Sequence, residues 1–290
     1  MEDLQSIKKR INSAGNLQTI VSTMKAHASS SINEFQNAAD ASMNYRKILD
    51  KGIYIILSKD KKIRTSQGHE KGITINIIFG SDYGLAGKFN ERISSFALNN
   101  INQSEGDIIL IFGQQIFSRL KADLEISKTL TVPQTKEGIT PMVQNLLFEI
   151  EEYMEKKPIK EIMLYYCKPG DESIFEEEKE KLFPVDFKKL EKKEMDWKSN
   201  SIPTYLINKE NLFSDLIQQY FFITLYRSFC FSLASENASR LASMQAAEKN
   251  IDERLDDLNS EYRRKRQNQI TEEINDVISG FKSIRESKNT

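Results

Sequence analysis

The chain has 290 residues, a formal net charge of −1 at neutral pH, 29% charged residues and 39% apolar ones. That length allows one large domain or two modest ones, and the balance suits long solvated helices better than a sphere around one deep core. The near-neutral charge offers no basic face for nucleic acid, and Cys167 and Cys230, in unrelated contexts, suggest neither a disulfide framework nor a zinc site but fit a reducing cytoplasm.

The first ten residues are polar and mixed in charge, without the apolar run of a signal peptide. From there Leu4, Ile7, Ile11, Ala14, Val21, Met24, Ala28, Ile32, Phe35 and Ala39 recur at steps of three and four, with Gly15 the only breaker before Gly52. An isolated Gly costs roughly 1 kcal/mol in a helix without ending it. The pattern predicts one long helix over residues 1–58 with a narrow apolar stripe, the seam of a coiled coil.

The middle, residues 70–200, reads as α/β. Ile73 to Phe79 is a β-branched run ending at Gly80, Asp107 to Phe112 is another closed by Gly113, and Glu161 to Cys167 is a third stopped by Lys168-Pro169-Gly170. Helical patterns intervene at Asn90 to Asn100 and Pro141 to Lys156. Strands alternating with helices predict a Rossmann-like, mostly parallel sheet covered on both faces. Phe175 to Lys193 is dense in Glu and Lys, including Lys188-Lys189, and reads as a solvated face.

Leu216 to Ala234 is the one membrane-like stretch, but Gln218, Gln219, Thr224, Arg227, Ser228 and Ser232 interrupt it. A central Arg costs roughly 2.5–3.5 kcal/mol on insertion scales, so the segment is expected to be a helix buried in protein. No Gly or Pro occurs between Pro203 and Gly280. Continuous helix over most of that span would be about 100 Å long. Its stripe runs Ala234, Ala238, Leu241, Met244, Ile251, Leu255, Leu258, Tyr262, Ile270, Ile274, Val277, Phe281, Ile284. A lone helix leaves such a stripe in water, so residues 204–286 are expected to pair antiparallel with residues 1–58. Two amphipathic helices of an ordinary bundle would give the same periodicity.

Candidate chemistry is sparse. The turn Gly80-Ser-Asp-Tyr-Gly84-Leu-Ala-Gly87-Lys88-Phe89 invites a nucleotide-binding reading. A phosphate loop, however, needs Gly-x4-Gly-Lys followed by Ser or Thr, and Phe89 stands where the hydroxyl should be. The dinucleotide pattern Gly-x-Gly-x-x-Gly is absent too. His27 and His69 are far apart and lack metal-ligand spacing. No Gly-x-Ser-x-Gly elbow appears, so no catalytic residue, cofactor or metal is expected. Two rival functions remain open, a nucleotide-binding α/β enzyme and a non-rotary coiled-coil scaffold.

Three blocks carry a family resemblance. Ala234-Ser235-Glu236-Asn237-Ala238-Ser239-Arg240, followed by Arg266-Gln267, Ile270-Thr271 and Glu273-Ile274, resembles the C-terminal helix of F-type ATP synthase γ subunits. Ser81-Asp82-Tyr83-Gly84-Leu85-Ala86-Gly87-Lys88-Phe89-Asn90 is similar to that family's Ser-Asp-Arg-Gly-Leu-Cys-Gly-Gly-Phe-Asn. Ile11, Ser13, Asn16, Ile20 and Met24 fall in its N-terminal register. The resemblance implies a non-catalytic rotor shaft inside an αβ head, with a foot that meets the ε subunit and the c-ring. It implies polar contacts to the head from Glu236 and Arg240, and contacts with β-subunit loops from Gln267, Thr271 and Glu273. Met24 and Lys25 would lie near the β levers. Ser29, Ser30, Ser31, Ile32 and Asn33 replace the family's basic Ala-Ser-Lys-x-Arg, thinning the positive collar there. Tyr83 stands for Arg and Lys88 for Gly, which suggests a divergent or alternative rotary ATPase. The location implied is the cytoplasmic face of a bacterial inner membrane, peripheral to it.

Overall fold

The computed structural model describes residues 4–59, 72–186 and 204–287. His69, Lys188, Lys189 and the side chains of Phe281 and Ile284 lie outside the described residues. In chain order the elements are α1 (Leu4–Lys59), β1 (Ile73–Phe79), α2 (Phe89–Asn100), β2 (Ile108–Phe112), α3 (Gln114–Leu120), β3 (Lys128–Leu130), α4 (Lys136–Lys156), β4 (Ile159–Pro169), β5 (Phe175–Phe183) and α5 (Lys209–Ser287). Contacts divide the chain into two units, Met1–His27 with Ala242–Thr290, and Ala28–Leu241. The limits fall inside α1 and α5 because residues from about the middle of each helix pack on the sheet.

The larger unit is built on a five-stranded sheet of order β3-β2-β1-β4-β5. β1 pairs parallel with β2 and β4, and β2 with β3, while β5 runs antiparallel to β4. Because side chains alternate across a strand, Ile75, Ile77 and Phe79 point to one face and Ile78 to the other. The first face carries α1, α4 and α5, through Phe35, Ala39, Ile139, Val143, Leu225 and Phe229. The second carries α2 and α3, through Phe89, Ile93, Ala97, Ile116 and Leu120. The Phe229 ring stands edge-on to Phe79 and Phe112, each with centroids 4.7 Å away. The apolar run around Phe221 to Phe231 is therefore a sheet-packing segment, and no helix among the described residues is long and apolar enough to cross a membrane.

β5 corrects the reading of Phe175 to Lys193 as a solvated face. Phe175 and Leu182 are buried, and the charges between them find partners: Glu177 with Arg92, Glu178 with Lys168, Glu180 with Arg227 and Lys181 with Glu161. Such charges also guard an exposed sheet edge against pairing with other chains.

Within this unit α1 and α5 run antiparallel. Tyr45 meets Gln219, the Arg46 guanidinium donates to Thr224 Oγ1 at 2.5 Å, and a Cβ on Gly52 would touch Leu216 at 3.3 Å. Arg46 also pairs with buried Asp50 and lies over the Tyr220 ring, 3.5 Å from its centroid. The α1 seam in this unit repeats every seventh residue, Ala28, Phe35, Ser42, Leu49 and Ile56, all buried, the spacing of a left-handed supercoil.

The smaller unit is a helical pair. Gln18 donates to Asp252 Oδ1 at 2.5 Å and Lys25 is paired with Glu248, again antiparallel. Ile7, Val21, Met244 and Leu258 are buried there. The pairing does not extend as far as the α5 stripe. Residues 266–280 are all exposed, so Ile270, Ile274 and Val277, expected in the intramolecular seam, lie in the open instead.

Candidate functional site

In an open α/β sheet, ligands sit beyond the carboxyl ends of the strands, where successive crossovers diverge. Here that point lies beside β1, whose neighbours β2 and β4 are reached by crossovers on opposite faces. The glycine-rich turn follows β1, and its polar groups bond inward. Ser81 N donates to Asn90 Oδ1 and Asn90 Nδ2 to Ser81 Oγ. The Asp82 carboxylate accepts from the backbone of Gln114 at 3.1 Å and of Val132 at 2.7 Å, tying three loops together. Gly113 is required beside it, since its φ is 111° and a Cβ would lie 2.5 Å from the Ser81 carbonyl oxygen.

Helix α5 lies against this end of β1. Ser232 Oγ donates to Phe79 O at 3.4 Å and Ser239 Oγ to Ala86 O at 2.7 Å. The place where a cofactor would approach is thus taken by a helix of the same chain, which argues against the nucleotide-enzyme reading. Leu85 and Gly87 adopt positive φ to make the turn, leaving Tyr83 and Leu85 exposed at its tip. Asp82's bracing role was hidden from the sequence because both its partners lie more than thirty residues away.

Glu236 and Arg240 stand on α5 next to this turn. Arg240 donates to Glu236 Oε1 at 2.5 Å and to Asn237 Oδ1 at 3.2 Å. Glu236 is only 5% exposed. Burial raises its carboxyl above the ordinary range, Arg240 opposes that shift, and the negative charge of Asp82 adds to it. Among reactive groups, burial pushes the Cys230 thiol up to about 12 and that of Cys167 well above its usual value, so neither supplies a thiolate near neutral pH. No cluster of His, Cys, Asp or Glu among the described residues could hold a metal ion.

The other expected contact residues lie on the helical pair. Met24 and Lys25 are half-buried on α1, the Lys25 charge neutralised by Glu248. Gln267, Thr271 and Glu273 are exposed on α5; the Thr271 hydroxyl donates to Gln267 O and Gln269 donates to Glu273. They share the exposed stretch with Ile270, Ile274, Val277 and Ile278. Glu236 and Arg240 belong to the other unit. Ile278, four residues on from Ile274, falls outside the stripe read from the sequence because Val277 takes its place there.

A helical pair with one apolar end left open, and an α/β body whose ligand crevice is closed by its own helix, define a protein that works through its surfaces. The model of the family described as ATP synthase matches residues 3–284, and the chain belongs to that family. Similar proteins named ATP synthase gamma chain include one from Malacoplasma penetrans, 29% identical over 97% of this chain and 99% of that protein. Another, from Clostridium kluyveri, is 25% identical over 97% of this chain and 98% of its own length. Among solved structures, a chain of the Euglena gracilis mitochondrial ATP synthase (OSCP/F1/c-ring) shares the fold with a TM-score of 0.61 at 12% identity, covering 99% of this chain and 96% of that one. A chain from the central stalk and c-ring of the Tetrahymena thermophila enzyme gives 0.55 at 18% identity, covering 79% and 99%.

Proposed function

We propose that the chain is the central rotor shaft of an F-type ATP synthase, coupling ion flow through a membrane ring to ATP synthesis or hydrolysis in an αβ head. The observation that carries this is the exposed end of α5. There Ile270, Ile274, Val277 and Ile278 lie open beside Gln267, Thr271 and Glu273, with no partner helix among the described residues. Apolar positions repeated along a helix without cover call for enclosure by other proteins.

The chain itself is non-catalytic in this reading. Residues 1–58 and 204–286 serve as shaft and residues 70–200 as foot, which meets the ε subunit and the c-ring at the cytoplasmic face of a bacterial membrane. α1 and α5 present different side chains around the pair, so three chemically alike β subunits meet three different surfaces. Their affinities for ADP, phosphate and ATP then differ. Turning the pair permutes those affinities, and torque is exchanged for differential binding free energy. Gln267, Thr271 and Glu273 face β-subunit loops; Met24 and Lys25 lie by the β levers, where Lys25 exchanges Glu248 for an acidic partner. Arg240, held by Glu236, makes a polar contact to the head.

The test is affinity purification of the tagged chain from its native membrane followed by mass spectrometry. Recovery of α, β, ε and c subunits in fixed ratio is expected. A homodimer free of them would mean a scaffold, and the rotor reading would fall.

A further inference from the structure

We propose that the groove between α4 and the start of α5 docks a basic amphipathic helix of a partner subunit. Leu147, Ile150, Glu151, Met154 and Glu155 line one wall and Ser214, Ile217, Gln218 and Phe221 the other, around about 480 Å³. Each wall steps by three and four residues, so the groove follows both helix axes. A third helix fills such a trough by setting its own ridges into it. Towards the start of α4 the surface continues past Phe148, 69% exposed, to Gln219 and Phe222.

The charges say what kind of helix fits. Among the described residues the groove is lined by two carboxylates and no cation. Glu149 is paired with Lys128 and Glu152 with Lys156, but Glu151 and Glu155 have no ion-pair partner among the described residues. They sit four residues apart on α4, where like charges repel. Glu155 also stands in the last turn, where the helix dipole disfavours a negative charge. Both carboxylates are exposed on the rim of the apolar trough, and lysines or arginines flanking an apolar stripe would complement their charge and relieve their mutual repulsion. The inference rests on the rotor reading only for where that partner is found.

Two experiments test it. The purified chain is titrated by fluorescence anisotropy with a labelled 18-residue helical peptide bearing a leucine stripe flanked by lysines, and with its glutamate-flanked counterpart. The lysine peptide is expected to bind, and to weaken at least tenfold in the double variant Glu151→Lys/Glu155→Lys, while the glutamate peptide does not bind. Equal binding of both peptides, or no loss in the variant, overturns the proposal. Second, Phe148→Cys in the intact complex carries a short cysteine-directed cross-linker. The expected adduct is a helical segment of another subunit with Lys or Arg beside an apolar stripe. An adduct to a second copy of this chain, to a segment without cations, or none at all while the chain still co-purifies with the head, overturns it. Failure to co-purify would remove the rotor reading and leave the peptide result to decide the groove.

Discussion

A carboxylate taken out of water must find a cation or surrender its charge. Glu236 is caught between the two, since burial favours its neutral form and Arg240 its charged one, with burial the larger effect. Its folded-state pKa thus lies above the unfolded value, the folded chain holds its proton more tightly, and the sign of the linkage follows. This contribution to stability is complete below the unfolded value near 4.5 and is lost as pH rises through the folded one. Glu236→Gln, which keeps an acceptor for Arg240, should therefore gain on the parent chain as pH climbs from 4 towards neutrality. Urea midpoints across that range check it, and a gain on acidification would reverse the assignment. Gly113 makes the complementary point about backbone. Its φ of 111° and the 2.5 Å approach to Ser81 mean that Gly113→Ala incurs strain and a clash together. A loss of at least about 2 kcal/mol is expected, read as a lower urea midpoint with an unchanged slope.

At the scale of elements, α5 is two helices in one, a sheet-packing segment and a coiled-coil strand. Phe229 belongs to the first, edge-on to Phe79 and Phe112. Phe229→Ala should cost roughly 3–5 kcal/mol, measured by denaturation, because the cavity would open between α5 and two strands whose backbones are fixed by parallel pairing. The long helices and the strands at β1, β2 and β4 were legible because each is a sustained period, three-four or β-branched. β3 was not, because three residues carry no period, and α3 spans only two turns. β5 was concealed by its own edge position: Glu176 to Lys181, within the run from Phe175 to Lys193, read as a solvated face until the partners Arg92, Lys168 and Glu161 appear from elsewhere in the fold. The glycine turn was legible as a non-phosphate loop, yet not as a brace, since Asp82 works through backbone amides distant in sequence. The stripe through Ile270 and Ile274 was read as seam, because periodicity marks an apolar face without saying whose surface covers it.

That distinction governs the whole molecule. A residue buried within the chain contributes to folding, whereas a residue covered only on assembly contributes to binding, and the same substitution separates the two. Ile270 and Ile274 are 47% and 52% exposed, and no other part of the described chain packs on them. Ile270→Asp/Ile274→Asp keeps the helix polar and adds no clash, so the isolated chain should keep its stability to within about 0.5 kcal/mol, as surface changes do. In the assembled ATPase the same pair of charges would be pressed against an apolar lining, and ATP-driven ion pumping should fall severalfold while the foot stays attached. A melting temperature lowered by the double change in the isolated chain would mean that the stripe is covered by the chain's own residues. Unchanged pumping would mean that nothing in the complex grips the end of α5, and torque would have to enter elsewhere, as through the contacts proposed at Met24 and Lys25.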